Sequence, residues 1–267
     1  MIVRLVELGI EGTPEESMGR FLEAAVTGPL PHTVVLPELF TTGYVLDRIP
    51  ELARSPEELP TLPAAGTAAE YGIWLVAGTL PVRAPEGVVN MMTVFSPDGE
   101  LVYTTEKVHL FRQMGEDRAF VPGSSGGVFD YGGTTAGGIV CYDLRFPELS
   151  RRLTLSGAGI IFAPAQWPSG RRELFRSLLR ARSAEAQAFT VGCNLGGEHL
   201  GVLFNGGGGI AHPGGNMVRG REVDEGVTDY EIDLSDVEAM REKINCLQDR
   251  RPEEYGLLLE WRGGFGG

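Results

Sequence analysis

The sequence predicts an α/β domain in which mixed β-sheets are covered by helices, and three observations carry that prediction. Short apolar runs alternate with capped, amphipathic segments along the chain. Some of the runs, such as Gly159 to Ala165, are apolar throughout, which suits strands buried on both faces. Hairpins are mixed with crossover helices, so the sheets are not purely parallel. No internal repeat and no linker interrupts the pattern, and residues 1–267 read as one domain.

The elements follow in order. "IVRLVEL" is a short strand. Thr13 to Val26 is a helix, with Thr13 as cap, Pro14 in the first turn and Glu16 at the capping-box position. "HTVVLPEL" is a second strand running into a turn, and "SPEELPTLPAAGTAAEYG" is a capped helix interrupted by proline. "IWLVAGTLPV" is a third strand. "VNMMTVFSPDGELVYTTEK" is a hairpin turning at Pro97-Asp98-Gly99, and "GGVFDYGGTTAGGIVCYD" is a strand pair closed on glycines. "RFPELSRRLTLSGA" is helical and "GIIFAPAQW" a buried strand. "RRELFRSLLRARSAEAQA" is a long helix with apolar residues at Leu174, Leu178 and Ala181. "FTVGCNLGG" is a strand, "FNGGGGIAHPGGNMVRG" a glycine-rich hairpin, and "DEGVTDYEIDLSDVEAMREK" a final strand and capped helix. The tail from about residue 256, "WRGGFGG" at its end, is expected to be mobile or to contact a partner.

Composition excludes several classes of function. With 23 Lys and Arg against 36 Asp and Glu, the net charge is −13, which disfavours nucleic acid and anionic membranes as partners. No signal peptide and no membrane-spanning run is expected. Cys141, Cys193 and Cys246 form an odd, sparse set without CxxC, and His32, His109, His199 and His212 are scattered. A reducing cytoplasm is expected, with no disulfide scaffold, no metal site and no cofactor.

In three places an apolar strand ends and a reactive side chain follows at once: Glu38 in "VVLPELF", Lys107 in "YTTEKVHLF" and Cys141 in "GGIVCYD". Strand ends are where a rigid scaffold meets accessible loop. A cysteine attacks as thiolate and needs a base, which a buried carboxylate can supply. A lysine places positive charge beside the thiolate and beside the oxygen that becomes negative after attack. This set suits acyl transfer from a C–N bond, through a thioester, with release of ammonia or an amine and hydrolysis by water. Taken singly, Cys141 reads as packing, Glu38 as a solvated acid and Lys107 as a surface strand residue. Only their joint context favours chemistry.

The motifs "VVLPELFTTGY", "EKVHLF" and "GGIVCYDLRFPEL" resemble, in order, the Glu, Lys and Cys motifs of the nitrilase superfamily of carbon–nitrogen hydrolases. Similarity extends over nearly the whole chain, through "VPGSSGGVFDYGG" and "FAPAQWPSGRRELFRSLLRARSAEAQAFTVGCNLGG". The resemblance implies a four-layer α-β-β-α sandwich with two mixed sheets, paired into a homodimer through helices, commonly the helix after Cys141. It implies Cys141 as nucleophile, Glu38 as general base, Lys107 as stabiliser of the tetrahedral intermediate, and Glu116 as a second glutamate near the cysteine. The Tyr142 N–H is expected as second oxyanion donor. Asp143 and Glu148 are left as structural candidates. The chain departs from the family pattern at "AHPGG" with His212, at "FNGGGG", and at Cys193 and Leu195 in "VGCNLGG", all expected at the pocket rim.

Within the superfamily, "CYDLRFPELSRR" and "KVHLFRQMGE" look most like the omega-amidases, which hydrolyse monoamides of dicarboxylic acids such as 2-oxoglutaramate. Arg145 is the candidate for binding the substrate carboxylate as a planar fork, with pairing to a buried acid or to a dimer partner as the other reading. Phe40, Tyr44, Phe111 and Trp167 are candidate pocket walls. The alternatives are an amidase of the same superfamily acting on deaminated glutathione or an N-carbamoyl compound, and a non-catalytic scaffold member.

Overall fold

The computed structural model describes residues 1–256. The glycine-rich tail beyond them lies outside the described residues.

The first strand, β1 (Ile2–Val6), alternates, with Val3 and Leu5 facing one core and Val6 another. Helix α1 (Pro14–Ala25) begins with the expected capping box: Glu16 N donates to Thr13 Oγ1 at 3.2 Å, and Thr13 N donates to Glu16 Oε2 at 2.7 Å. β2 (Thr33–Val35) follows, then the single turn α2 (Ile49–Leu52) and α3 (Pro63–Tyr71). β3 (Trp74–Ala84), β4 (Gly87–Phe95) and β5 (Leu101–Glu106) are joined by hairpins. The second half of the chain contributes β6 (Val128–Tyr131), β7 (Thr134–Gly138), α4 (Pro147–Leu155), β8 (Ile160–Ala165), α5 (Arg172–Ala186) and β9 (Phe189–Asn194). After these come the two-residue strands β10 (Glu198–His199) and β11 (Val202–Leu203), then β12 (Gly209–Ala211), β13 (Gly220–Asp224), β14 (Val227–Glu231) and α6 (Ser235–Lys243).

Two large sheets result. One has seven strands in the order β13-β14-β1-β2-β3-β4-β5, parallel at β1-β2-β3 and antiparallel elsewhere. The other has five in the order β12-β9-β8-β7-β6, parallel at β7-β8-β9. Val3, Leu5, Val35, Val76 and Val94 of the first sheet share one core with Ile160, Phe162 and Val191 of the second. The first sheet's opposite face buries Val6, Val34 and Leu75 under Phe21 and Leu22 of α1 and Ala64 and Ala68 of α3. On the second sheet, Gly137 and Gly192 leave room for Leu153 of α4 and for Phe175 and Leu179 of α5. The layers therefore run helix, sheet, sheet, helix. Each fully buried Phe or Leu in them contributes about 1.5–3 kcal/mol. Among the described residues no helix is long and apolar enough to cross a membrane.

α5 corrects one sequence expectation. Its buried stripe is Phe175, Leu179, Arg182, Ser183 and Ala186, whereas Leu174 is 41% exposed. The inward face is rotated by one residue: Phe175 and Leu179 fill the space over Gly192, and Arg182, on the same face, is satisfied by donating from Nε to Leu144 O at 2.9 Å and from Nη2 to Arg145 O at 3.1 Å. The helix thereby holds the turn that follows Cys141.

Candidate active site

Glu38, Lys107 and Cys141 come together where β2, β5 and β7 end between the two sheets. Each is set by local backbone. Glu38 lies three residues past β2, and the next residue, Leu39, has φ 43°. Its N–H donates to Thr79 Oγ1 at 2.8 Å, across an irregularity in β3. Gly78 forms that irregularity at φ 55°; a Cβ there would collide with Pro37 O, so glycine is required. Gln166 Nε2 donates to Glu38 O at 2.5 Å, which fixes the loop from the second sheet. Lys107 follows β5 directly, and its N–H donates to Asn90 O of β4 at 2.8 Å.

Cys141 does not follow its strand as directly as the apolar run "GGIVCYD" implied. β7 stops at Gly138, and Cys141 opens a 3₁₀ turn, Cys141–Arg145, with φ 48°. A left-handed φ at a non-glycine residue costs of order 1–3 kcal/mol and persists where the surroundings enforce it. Asp143 supplies that enforcement. Its buried carboxylate accepts from Val140 N at 3.2 Å within the turn, and from Val108 N at 3.2 Å and His109 N at 2.8 Å beside Lys107. The carboxylate also pairs with His109 Nδ1 at 2.8 Å, and the His109 ring stacks on Phe146 at 3.5 Å. Asp143 is thus structural, tying the cysteine turn to the lysine loop.

Behind the sulfur lies a buried charge cluster. Lys107 Nζ donates to Glu38 Oε1 at 2.9 Å, to Tyr44 OH at 2.9 Å and to both oxygens of Glu116 at 2.8 Å. Tyr44 OH and Asn90 Nδ2 also donate to Glu38 Oε1, at 2.7 and 2.8 Å, and Phe111 N donates to Glu116 Oε2 at 2.7 Å. Glu38, Lys107 and Glu116 are fully buried. Burial acts to lower Lys107, but the charges of Glu38, Cys141 and Glu116 outweigh it and hold the ammonium above its ordinary value. Burial and the neighbouring Glu38 raise Glu116, against the pull of Lys107. Burial and the Glu38 carboxylate push the Cys141 thiol up, while Lys107 and the Gln166 N–H pull it down. Glu38 Oε2 is buried and, among the described residues, has no hydrogen-bond partner.

Cys141 reaches a narrow pocket lined by Tyr44, Phe111, Met114, Tyr142, Arg145, Gln166, Trp167, Pro168 and Arg171. Four of the five residues expected to touch substrate are there. Phe40 is not: it is fully buried in the helix-side core, edge-on to Phe21 at 5.3 Å, while its neighbour Leu39 packs on the other side with Tyr44. Cys193, Leu195 and His212, expected at the rim, do not line the pocket either. Cys193 faces backbone carbonyls, its thiol donating to Val35 O at 3.1 Å; Leu195 is core; and His212 pairs with Asp236 at 3.2 Å. Sequence reasoning missed Asn90, Gln166 and Arg171. Asn90 left a signal, as the polar residue inside the otherwise apolar run "VVNMMTV". Among the described residues no three His, Cys, Asp or Glu side chains converge on a metal-sized site.

Comparison with known proteins identifies the family. The carbon-nitrogen hydrolase family model matches residues 32–242. The chain is 36% identical over 222 residues to a 2-oxoglutaramate amidase of Bacillus subtilis, covering 83% of this chain and 86% of that protein. It is 30% identical over 218 residues to an omega-amidase of Yersinia enterocolitica, covering 81% and 83%. Among solved structures, a glutamate-to-glutamine, cysteine-to-alanine double mutant of an amidase from Nesterenkonia sp. AN1, in complex with acrylamide, superposes with a TM-score of 0.80 at 27% identity, covering 96% of this chain and 95% of that one. The chain belongs to the carbon-nitrogen hydrolase family and is an amide-hydrolysing enzyme.

Proposed function

We propose that the protein is an omega-amidase, hydrolysing the amide of a dicarboxylic acid monoamide such as 2-oxoglutaramate through a thioester on Cys141. The observation that carries the mechanism is the free, buried Glu38 Oε2 behind the thiol. It accepts the thiol proton as sulfur attacks the amide carbonyl. The oxygen that becomes negative is stabilised by the Tyr142 N–H and by Lys107. Lys107 has three donors, all engaged by Glu38, Tyr44 and Glu116, so it acts chiefly through its charge. Glu116 holds that charge in place. The proton returns from Glu38 to the leaving nitrogen, ammonia departs, and the C–S bond of the thioester remains. Water then gives a proton to Glu38 and its oxygen to the carbonyl; the C–S bond breaks, the acid is released and the thiol regains its proton.

The substrate class rests on Arg145, which lies over Trp167 at 5.0 Å in the same pocket, and on the 2-oxoglutaramate amidase and omega-amidase relatives. We further propose a single-domain homodimer working in the cytoplasm. Leu155 of α4 and Leu174 of α5, 51% and 41% exposed, support pairing through these helices, and three free cysteines suit a reducing compartment. Light scattering at micromolar concentration tests the dimer. The function is tested by an ammonia-release screen over omega-monoamides, N-carbamoyl compounds and nitriles, with mass spectrometry of the quenched enzyme. The expected result is release from the monoamides and an acyl adduct on Cys141; a screen answered only by the other two groups would replace this reading.

A further inference from the structure

Two arginines line the pocket above Cys141. Arg145 lies over Trp167 at 5.0 Å and Tyr142 at 5.8 Å, and Arg171 lies over Phe111 at 5.6 Å. Among the described residues neither guanidinium pairs with a carboxylate or donates a hydrogen bond to the protein. The neighbouring arginines differ. Arg172 packs against Gly207, and its charge acts on Glu7, while Arg182 donates to Leu144 O, Arg145 O and Glu185. A cation–π contact holds a guanidinium through its charge and engages no hydrogen-bond acceptor, so its five donors remain available to a ligand.

Arg171 is also held in place. It closes the 3₁₀ turn Ser169–Arg171, donating its N–H to Pro168 O at 2.8 Å, immediately before the long helix α5. Asn194 of β9 anchors the segment that leads into this turn: its Oδ1 accepts from Trp167 N at 2.6 Å, and its Nδ2 donates to Trp167 O at 2.9 Å. With a net charge of −13, the molecule as a whole repels an anionic substrate, so local cations at the mouth must supply the attraction.

We propose that Arg171 is a second anion-binding, specificity-determining residue, sharing with Arg145 the carboxylate end of a substrate whose amide lies at Cys141. The inference rests on the amidase reading above and deepens it. One planar fork matches one carboxylate; a second fork beside it favours an end group carrying more acceptor oxygens, such as a carboxylate adjoining an oxo group.

The test is steady-state kinetics of the full chain and of Arg171→Leu and Arg171→Lys. The amides are 2-oxoglutaramate, glutaramate and the uncharged pentanamide, with glutarate as competitive inhibitor. In Arg171→Leu the preference for glutaramate over pentanamide, in kcat/KM, is expected to fall about tenfold or more. The loss falls mainly in KM, is larger for 2-oxoglutaramate, and is matched by weaker inhibition by glutarate. Arg171→Lys recovers part of it and checks that the effect is charge and not folding. An unchanged preference ratio in Arg171→Leu, beside a wild type that prefers carboxylate-bearing amides, overturns this proposal alone. A wild type that shows no such preference and no inhibition by glutarate overturns the omega-amidase reading, and this proposal with it.

Discussion

Behind the Cys141 sulfur, every donor of Lys107 is taken up by Glu38, Tyr44 and Glu116; in front of it, the guanidinium groups of Arg145 and Arg171 donate to nothing among the described residues. The two regions adjoin and both are charged, yet they are built on opposite rules. Burial dictates the first: an ammonium fully removed from water must be paired and hydrogen-bonded. Partial hydration permits the second, where water substitutes for a ligand until one arrives. The inner cluster is therefore preorganised for a reaction common to many amides, and the mouth is left open for the part of the substrate that distinguishes one amide from another.

The largest effect that would break this division is the loss of the nucleophile. Cys141→Ala should abolish ammonia release, by ~10⁴-fold or more, with circular dichroism unchanged; comparable release by the variant would remove Cys141 from the reaction. Glu38→Gln keeps the shape but takes away the free acceptor, and turnover should fall ~10²–10⁴-fold. Near-full rates would send the search for a base to Glu116. Lys107→Ala leaves two carboxylates buried without their cation, so chemical denaturation should report a loss of about 3–5 kcal/mol in addition to lost activity. A variant as stable as the wild type would mean the cluster tolerates an empty centre.

At the mouth the effects are smaller and selective. Arg145→Leu should cost about 10–100-fold on dicarboxylic monoamides and less on uncharged amides; an equal loss on both would make Arg145 structural. The smallest effect concerns Glu7, which supports the mouth from behind by accepting from Asn194 N and Gly208 N at 2.8 and 2.9 Å. Burial raises its carboxyl from 4.5 to about 7, against the pull of those N–H groups. A raised folded value means the folded protein keeps a proton that the unfolded chain has released. The stabilisation is therefore full below about 4.5 and disappears as the pH passes about 7. Between pH 5 and 8 the wild type should lose about 1–2 kcal/mol relative to Glu7→Gln, less than the full shift implies because the side chain is partly exposed. Parallel pH profiles of the two melting temperatures would discard this assignment.

Much of the fold could be read from strand ends and caps. Thr13 and Glu16 announced α1, and the apolar runs before Glu38, Lys107 and Cys141 announced that three loops meet. What could not be read depended on contacts between distant segments. In α5 the apolar residues satisfy two neighbouring stripes, and the one that includes the polar Arg182 is buried because Phe175 and Leu179 fit the space over Gly192 in a distant strand. Phe40 has the same local setting as Tyr44, and only the packing of Phe21 shows that it faces away from the pocket. Asn90 and Gln166 matter through hydrogen bonds to Glu38, which is 52 positions from Asn90 and 128 from Gln166. Asp143 lies in a recognised motif, but its work is to tie two loops together.

One further contact bears on how the molecule is made. β1 lies inside the seven-stranded sheet, between β2 and β14, and its Arg4 is fully buried. Arg4 donates to both oxygens of Asp229, at 2.7 and 3.0 Å, from a position 225 residues earlier in the chain. At a synthesis rate of roughly 5–20 residues per second, the first strand waits on the order of 10–45 seconds for its antiparallel neighbour. Throughout that interval its edge is an open template for another chain, and its guanidinium has no counter-charge. A ribosome-bound chain halted before Val227 would carry Glu38, Lys107 and Cys141 and still be expected to be protease-sensitive and inactive. Completion of the sheet that carries Glu38 and Lys107 is thus expected to be one of the last events of biosynthesis.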